Sequence, residues 1–292
     1  MINTLHRRNA ESYSEILEIA PHMAAACLEQ NEGNRATNWS YVSRLARDMR
    51  AGRFVCTHQG IAFDTNGKLI DGQHRLWAII EAGVPVRMRV FFNESPDSLL
   101  CIDGNLPRCA ADRITLGRTL GTVRSDELAT LRAMVGGIGL LHKRLTAHEE
   151  MELLQQHREP VLFAHDNLGN TRLAGIANSI TRAVVARAWY CVNETYTLSH
   201  FCEVLRSGVT STDRDPIVVM LRDQLVELHK RGTTRSVRQK QYALTTRALA
   251  AYLLDQPLTV LRPSTYELFL IPEEESPSPD AVSTTTSPSA TA

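Results

Sequence analysis

The sequence predicts an α+β protein, in which strands and helices alternate in the first part and an all-α domain follows. Two short apolar runs flank Asn66-Gly67, which is the strongest local signal for a tight β-hairpin. From about residue 123 to residue 255, in contrast, apolar residues recur almost wholly at the helical period. This change of period along the chain indicates two parts of different structural class.

The first part is predicted to begin with a helical extension over residues 1–34. Helical periodicity runs from about residue 11 to residue 30 and is broken near Pro21. A second helix is predicted next, because four apolar residues share one of its faces: Val42, Leu45, Ala46 and Met49. Gly52 is well placed to end this helix.

The hairpin around Asn66-Gly67 is followed by a helix and by a further strand. The helix is predicted to start near Gln73, because four residues recur at its spacing: Leu76, Ile79, Ile80 and Gly83. Pro85 then opens a strand in which Val86, Met88 and Val90 alternate with Arg87, Arg89 and Phe91. Residues 40–92 therefore have the predicted order helix, strand, strand, helix, strand.

The run Asp71-Gly72-Gln73-His74-Arg75 lies where the hairpin passes into this helix, and it is the strongest candidate site. Such a junction leaves the first N–H groups of the helix unpaired and directs the positive end of the helix dipole at whatever lies above the turn. Gly72 lets the backbone approach closely, Arg75 offers a forked cation, and His74 can donate a hydrogen bond or a proton. The combination predicts a phosphate-binding turn.

Simpler interpretations stay open for two segments. In the simpler interpretation of the turn, Asp71 only caps the helix, and His74 and Arg75 are solvated residues of its first turn. The five suitable residues together favour a functional site instead. The segment 102–112 is rich in turn-forming residues and leads into a helix around Ala110 to Leu116. It is either a site loop or a plain turn followed by a helix cap.

The all-α domain is expected over residues 119–258, and an extended segment over residues 259–272 follows it. Its helices are predicted near residues 125–142, 147–157, 173–191, 197–206, 215–230 and 236–254. Between His229 and Arg247 the chain holds several Lys and Arg residues and no acidic one. This stretch is either a solvated surface or a nucleic-acid contact formed by Arg235, Arg238 and Lys240. Residues 273–292 lack large apolar groups and are predicted to be a disordered tail.

The overall composition limits the classes of partner that we expect. Lys plus Arg and Asp plus Glu both total 32, so the net charge gives no reason to expect nonspecific binding to nucleic acid or to membranes. No apolar run approaches membrane-spanning length, and the first residues lack the features of a secretory signal. The sequence therefore predicts a cytoplasmic protein without a membrane partner.

Several segments in a shared order resemble the N-terminal domain of the ParB/sulfiredoxin superfamily. They are Arg47-Asp48-Met49-Arg50-Ala51-Gly52, Ile61 to Asp64, Lys68 to Ala78, and Gly83-Val84-Pro85-Val86. The equivalent turn is typically G-E-R-R-x-R-A in ParB proteins and G-C-H-R in sulfiredoxins, and here it is Gly72-Gln73-His74-Arg75. The sequence of this turn is most similar to that of DGQHR proteins, which include DndB-type proteins of DNA-modification systems and many phage and actinobacterial proteins.

This resemblance covers about residues 35–118 and implies a small mixed sheet that binds a nucleotide, with the phosphates on Gly72, Gln73, His74 and Arg75. Gln73 stands where sulfiredoxin has its reactive cysteine, which excludes thiol-based repair of oxidised cysteine. His74 replaces the first arginine of the ParB turn, which leaves ATP and CTP as alternative nucleotides. By comparison with the E-N-x-x-R segment of ParB proteins, Asp103 and Asn105 are candidate magnesium ligands and Arg108 a second phosphate contact.

Two functions are compatible with these observations, besides a degenerate domain that uses the same turn only for contact with a protein. The first is an NTPase or phosphotransferase that uses ATP or a related nucleotide with magnesium in a DNA-related context, with Asp71, His74 and Arg75 as its catalytic residues. The second is a nonenzymatic regulator or partition-like protein, in which the bound nucleotide governs DNA contact by the helical domain. The expected partners are a nucleotide, DNA in the second case, and a second copy of the chain in a homodimer.

Overall fold

The computed structural model describes residues 11–31, 34, 36–100, 108–117, 119–140, 144–169 and 174–272. The described residues form two compact units. The first unit comprises Met1–Leu128 and His142–Gln156, and the second comprises Ala129–Leu141 and His157–Ala292. The domain boundary between residues 118 and 119 stays a prediction from the sequence.

A four-stranded mixed sheet forms the centre of the first unit. Its strands are β1 (Tyr13–Ile19), β2 (Ile61–Asp64), β3 (Leu69–Asp71) and β4 (Val86–Glu94), in the spatial order β1-β4-β2-β3. β4 pairs antiparallel with β1 and parallel with β2, and β2 pairs antiparallel with β3. The α+β class of this part is therefore confirmed, and its sheet is small and mixed.

The predicted helical extension at residues 1–34 is wrong over residues 13–19, which form β1. Tyr13 lies opposite Phe92 and Ile19 lies opposite Val86, and the Tyr13 and Phe92 rings stack with centroids 5.1 Å apart. The free edge of β4 supplies this segment with backbone partners, and such tertiary pairing overrides a local helical pattern. A helix, α1 (Pro21–Leu28), begins only at the proline, which occupies its first position.

Three further helices belong to the first unit: α2 (Trp39–Arg50), α3 (Gln73–Ala82) and α4 (Ala110–Leu116). The predicted order helix, strand, strand, helix, strand is confirmed for residues 40–92. Asn38 caps α2, because its side-chain oxygen accepts a 3.1 Å hydrogen bond from the N–H of Tyr41. The helices pack on the sheet through fully buried side chains, which include Val42, Ala46, Ile61, Leu76, Ile79 and Val90.

The regular secondary structure of the second unit is helical in the part that the structure describes. Two helices, α5 (Ser125–Gly136) and α6 (Ala147–Leu168), begin in the first unit and end in the second. The others are α7 (Ser179–Ala188), α8 (Tyr196–Ser207), α9 (Pro216–Lys230) and α10 (Arg235–Leu253), close to the predicted positions. No helix in the described part of the chain is long and apolar enough to cross a membrane.

α6 is longer than its predicted range of 147–157 and contains a break. His157 has the non-helical angles φ −111° and ψ 18°, and Pro160 follows three residues later. Proline lacks an N–H donor, and its ring clashes with the carbonyl four residues before it. Pro160 thus explains the break, and the helical hydrogen bonding resumes to Leu168.

Residues 259–272 contain neither helix nor strand, as predicted, yet they are held by specific contacts. Leu261 and Phe269 are buried, and Arg187 donates through Nε to the Phe269 carbonyl at 2.7 Å. The Glu267 carboxylate accepts a 2.8 Å hydrogen bond from the Tyr242 hydroxyl. The predicted tail at residues 273–292 lies outside the described residues.

Candidate functional site

Gly72 forms the turn between β3 and α3, and its position requires glycine for two separate reasons. Its φ is +101°, a left-handed conformation that disfavours any side chain. A Cβ atom at this position would also lie 3.0 Å from Ile61 Cα and 3.2 Å from the Gly60 carbonyl oxygen. Gly72 holds the cap position of α3 and makes no side-chain cap hydrogen bond. The residue at the cap position therefore has no side chain that would stand between the backbone and a ligand.

Arg75 lies one turn into α3 and is anchored beside Gly72. Its Nη1 donates to the Gly60 carbonyl oxygen at 2.7 Å and to Asp71 Oδ2 at 3.3 Å. Within the described residues, no acceptor contacts Nε or Nη2 of this guanidinium, and 17% of the side chain is exposed. Since a guanidinium carries five N–H donors, Arg75 retains donors for a further anion.

Asp71 supplies the negative charge of the turn. Its Oδ1 accepts a 2.6 Å hydrogen bond from the Gly72 N–H, and its Oδ2 faces Arg75. The side chain is 36% exposed. Asp71 therefore fixes the turn and partly neutralises Arg75, while its carboxylate stays accessible from solvent.

His74 points into the packing between α2 and α3. Its Nε2 accepts a 3.0 Å hydrogen bond from the N–H of Asn38, and its ring meets the Tyr41 ring edge-on at 5.6 Å. An imidazole nitrogen that accepts a hydrogen bond carries no proton, so the neutral ring holds its proton on Nδ1. His74 thereby ties the start of α2 to the first turn of α3.

Gln73 is also buried and contacts the loop that precedes α2. Its Oε1 accepts a 3.2 Å hydrogen bond from Asn31 Nδ2. Asn34 extends this network, because its Nδ2 donates to Asn31 Oδ1 at 2.6 Å and to the Leu69 carbonyl at 2.7 Å. Of the predicted phosphate-binding residues, the structure thus brings Gly72 and Arg75 together at the turn and gives Gln73 and His74 internal partners.

The remaining predicted ligands lie apart from this turn or outside the described residues. Asp103 and Asn105 are in the second group. Arg108 is exposed just before α4, and no contact in the described part joins it to the turn. Hydrogen bonds from Cys109, with the charge of Arg108, lower the pKa of Asp112. No group of three or more His, Cys, Asp or Glu side chains that could hold a metal ion occurs among the described residues.

Sequence reasoning missed a cluster of ion pairs that joins α2 to the start of α6. Arg47 forms a bidentate pair with Glu149, with two N–O distances of 3.0 Å. Asp48 accepts hydrogen bonds from Arg53 Nε at 3.2 Å and from the Thr146 hydroxyl at 3.0 Å. Glu149 lies 102 residues after Arg47, and Thr146 lies 98 residues after Asp48, so no local pattern links these two pairs. The cluster explains why residues 142–156 belong to the first unit.

The predicted nucleic-acid contacts lie at the start of α10. Arg235, Arg238 and Lys240 are all exposed, and Arg235 Nη2 donates to the Gly139 carbonyl at 3.2 Å. The amino-terminal end of a helix carries partial positive charge, so cations in its first turns are locally unfavourable. An anionic ligand would relieve this repulsion.

In comparisons with known proteins, the chain matches no family model, no curated protein and no solved structure.

Proposed function

We propose that the first unit binds a nucleotide through its phosphates at the Gly72 turn, as a ParB/sulfiredoxin-like NTPase or phosphotransferase in a DNA-related context. One observation carries the proposal. Gly72 combines a left-handed backbone, a close approach to Ile61 and a helix cap position that has no side chain. A turn of this kind presents main-chain N–H groups and a helix dipole to an anion. ATP, or a related nucleotide, is the proposed ligand.

Arg75 supplies the positive charge in this proposal. Its Nη1 stays on the Gly60 carbonyl, which fixes the guanidinium plane, while Nε and Nη2 donate to phosphate oxygens. Phosphoryl transfer depends mostly on alignment and on neutralisation of charge that develops on the phosphate oxygens. An anchored arginine provides both.

Asp71 is the proposed general base, because its carboxylate is accessible and adjoins the helix start. His74 is assigned a positioning role in place of proton transfer, since its Nε2 is engaged by the Asn38 N–H. Gln73 likewise positions the turn through Asn31. Among the predicted catalytic residues, Asp71 and Arg75 therefore remain as those that would touch the nucleotide.

The family resemblance implies magnesium. Within the described residues, the carboxylate that the turn offers as a ligand is that of Asp71. Magnesium in nucleotide sites is commonly held by one or two carboxylates together with the phosphates and water. Asp71 fits such a single-carboxylate role as the alternative to its role as general base, and the ion would then neutralise phosphate charge. No proposed step passes through the ion.

The test compares two arginines of the first unit that make the same kind of contact. Arg75 donates to the Gly60 carbonyl at 2.7 Å, and Arg50 donates to the Glu81 carbonyl at 2.7 Å. Binding of ATP, CTP, GTP and UTP to the native chain, Arg75→Gln and Arg50→Gln is measured by calorimetry with and without magnesium, followed by product analysis. We expect Arg75→Gln to lose about tenfold or more in affinity, because a charged hydrogen bond contributes about 1.5–3 kcal/mol.

Arg50→Gln should bind and turn over the nucleotide as the native chain does. Equal affinity and turnover in Arg75→Gln and Arg50→Gln would contradict the proposal. Binding without products in the native chain would favour the second function.

That second function is a nonenzymatic, nucleotide-gated DNA-binding regulator, and the exposed cations at the start of α10 favour it. Its test compares Arg238→Gln with Arg262→Gln, which removes an exposed arginine elsewhere in the same unit. For duplex DNA, loss of one phosphate contact lowers the slope of log K against log salt by about 0.9. Only Arg238→Gln should show this change, and only when nucleotide is present.

A further inference from the structure

Arg44 is a partly buried cation whose charge is not balanced by a carboxylate. In the described part of the chain, no hydrogen-bond acceptor contacts its buried Nε, and no ion pair includes it. Its guanidinium carbon instead lies 5.3 Å from the centre of the Tyr41 ring, one turn earlier on α2. At exposed sites an aromatic ring stabilises a cation above it by much less free energy than a buried guanidinium loses in hydration.

The neighbours of Arg44 are themselves cations. Arg47 is one turn further along α2, and its Nη2 donates to the backbone carbonyl of Arg144 at 2.8 Å. Burial lowers the pKa of Arg44, and the charges of Arg144, Arg113 and Arg47 lower it further. Arg47 is neutralised by Glu149, whereas Arg113 and Arg144 are exposed and pair with no described carboxylate. Arg113 and Arg144, which have no described carboxylate partner, therefore lie near enough to Arg44 for their charges to act on it.

The same region exposes aromatic rings next to this charge. Trp39 and Tyr41, in the first turn of α2, have 57% and 37% of their surfaces exposed. Trp39 meets Trp77 edge-on with centroids 5.3 Å apart, and Tyr41 meets His74. The hydrogen bond from Asn38 to His74 brings the positive ends of α2 and α3 together. The region therefore joins positive charge to exposed ring surface.

We propose that a second site, which adjoins the Gly72 turn but is formed by other residues, binds the phosphates of a single-stranded nucleic acid. We call it the Arg44 patch and define it as Arg44, Arg113, Arg144, Tyr41 and Trp39. Its three uncompensated arginines come from three segments, α2, α4 and the residues before α6, which suits a ligand with several phosphates. Exposed rings beside a cationic surface suit unpaired bases, which stack on aromatic side chains.

The experiment uses the full chain and a fluorescently labelled twelve-nucleotide oligothymidylate, with binding followed by anisotropy over a range of salt. Arg44→Gln, Arg113→Gln and Arg144→Gln are compared with Arg87→Gln, which removes an exposed arginine from β4 of the same unit. Each patch variant should lower the salt slope by about 0.7, the value for one phosphate of a single strand, and weaken binding about fivefold in 0.1 M salt. Arg87→Gln should leave both values unchanged.

Trp39→Ala tests the stacking part of the proposal. Loss of one stacked base weakens binding by about five- to a hundredfold, without a change of salt slope. Circular dichroism verifies that each variant is folded, and the exposed Arg113 and Arg144 give variants that do not depend on the packing of Arg44.

Free nucleotide is the other source of phosphate, and ATP is therefore added as a competitor. Oligothymidylate binding that persists in saturating ATP, and ATP binding that is unchanged in Arg44→Gln, would support a strand site distinct from the Gly72 turn. Complete displacement of the strand by ATP would overturn it, as would patch variants with the affinity and salt slope of Arg87→Gln. Loss of ATP binding in Arg75→Gln bears on the proposed function alone.

Discussion

The main-chain N–H of Asn38 donates a 3.0 Å hydrogen bond to Nε2 of His74, so the residue that caps α2 is tied to the first turn of α3. His74 is 8% exposed, and its replacement by phenylalanine would keep a ring but remove the acceptor. We expect His74→Phe to lower the free energy of unfolding by about 1–3 kcal/mol, because the Asn38 N–H would lose its acceptor. Urea denaturation measures this loss.

His58 provides the control for that comparison, because it is exposed in the same unit. His58→Phe should change the free energy of unfolding by less than about 0.5 kcal/mol, as is usual for surface positions. Equal losses in the two variants would show that the Asn38–His74 hydrogen bond contributes nothing to stability.

Gly72 and Gly83 bound the same helix, and both have positive φ, at +101° and +72°. A Cβ at Gly83 would meet nothing within 4 Å, whereas a Cβ at Gly72 would meet the backbone of Ile61. Gly83→Ala should therefore cost only the left-handed strain of about 1–2 kcal/mol, and Gly72→Ala should cost clearly more. Thermal and urea denaturation of both variants check the order, and an equal cost would contradict the close approach.

The sequence predicted the Gly72 turn because its signals are local. Asn66-Gly67 marks the hairpin, with Asp64 Oδ1 accepting from the N–H groups of Asn66 and Lys68 at 2.8 and 2.9 Å. The helix that follows has an apolar stripe of its own. Such features depend on residues a few positions apart, so a pattern along the chain is sufficient to locate them.

The partners of the turn residues could not be predicted in the same way. Gln73 accepts its hydrogen bond from Asn31, which is 42 residues away in the chain. His74 accepts its hydrogen bond from Asn38, which is 36 residues away. The helical pattern before Pro21 gave the wrong element, because β1 depends on pairing with β4 about seventy residues later. Local sequence therefore identified where the candidate site lies but not which side chains turn inward.

The effect of the Asp71 charge on nucleotide binding can be tested separately from that of the Arg75 charge. Asp71→Asn removes a negative charge beside the proposed phosphate site, and the amide oxygen can still accept from the Gly72 N–H. Without magnesium, we expect this variant to bind ATP several-fold more tightly than the native chain, since about 1.4 kcal/mol of repulsion corresponds to tenfold in affinity. Turnover should be lost with the base. Calorimetry and product analysis measure the two effects.

Asp64→Asn is not a suitable control for that variant, because Asp64 holds the hairpin; Asp97→Asn, an exposed position after β4, is preferable. Asp97→Asn should leave ATP affinity and turnover as they are. Weaker magnesium-free binding in Asp71→Asn would contradict a phosphate beside this carboxylate.

The Arg47–Glu149 pair should contribute measurable stability to the first unit. Its geometry is bidentate, and its side chains are only 20% and 16% exposed. A double-mutant cycle with Arg47→Met and Glu149→Gln should give a coupling free energy of about 1–2 kcal/mol, above the 0–1 kcal/mol typical of exposed pairs. The exposed pair Lys230–Glu227 on α9 serves as the comparison and should give about 0.5 kcal/mol or less. Similar couplings for both pairs would argue against a stabilising cluster.

Asp215 should make the second unit sensitive to acid. Its buried carboxylate precedes α9. Burial alone would raise the pKa of Asp215, but hydrogen bonds from Ser211 and Thr212, together with His200, hold it below its ordinary value. The Ser211 and Thr212 N–H groups donate at 2.6 and 2.8 Å, and His200 Nε2 lies at 3.2 Å. A carboxylate with a lowered pKa contributes stability that is complete above the unfolded pKa of about 3.9 and is lost as the pH falls through the folded pKa.

The difference in the free energy of unfolding between the native chain and Asp215→Asn should therefore be constant from about pH 5 to 7 and shrink below about pH 4. Urea denaturation at a series of pH values measures the difference. Asp223→Asn, at an exposed position on α9, should show no such trend. A difference for Asp215→Asn that stays constant down to pH 3 would mean that its carboxylate gains nothing from the Ser211 and Thr212 donors, because the unfolded carboxyl group is largely protonated there.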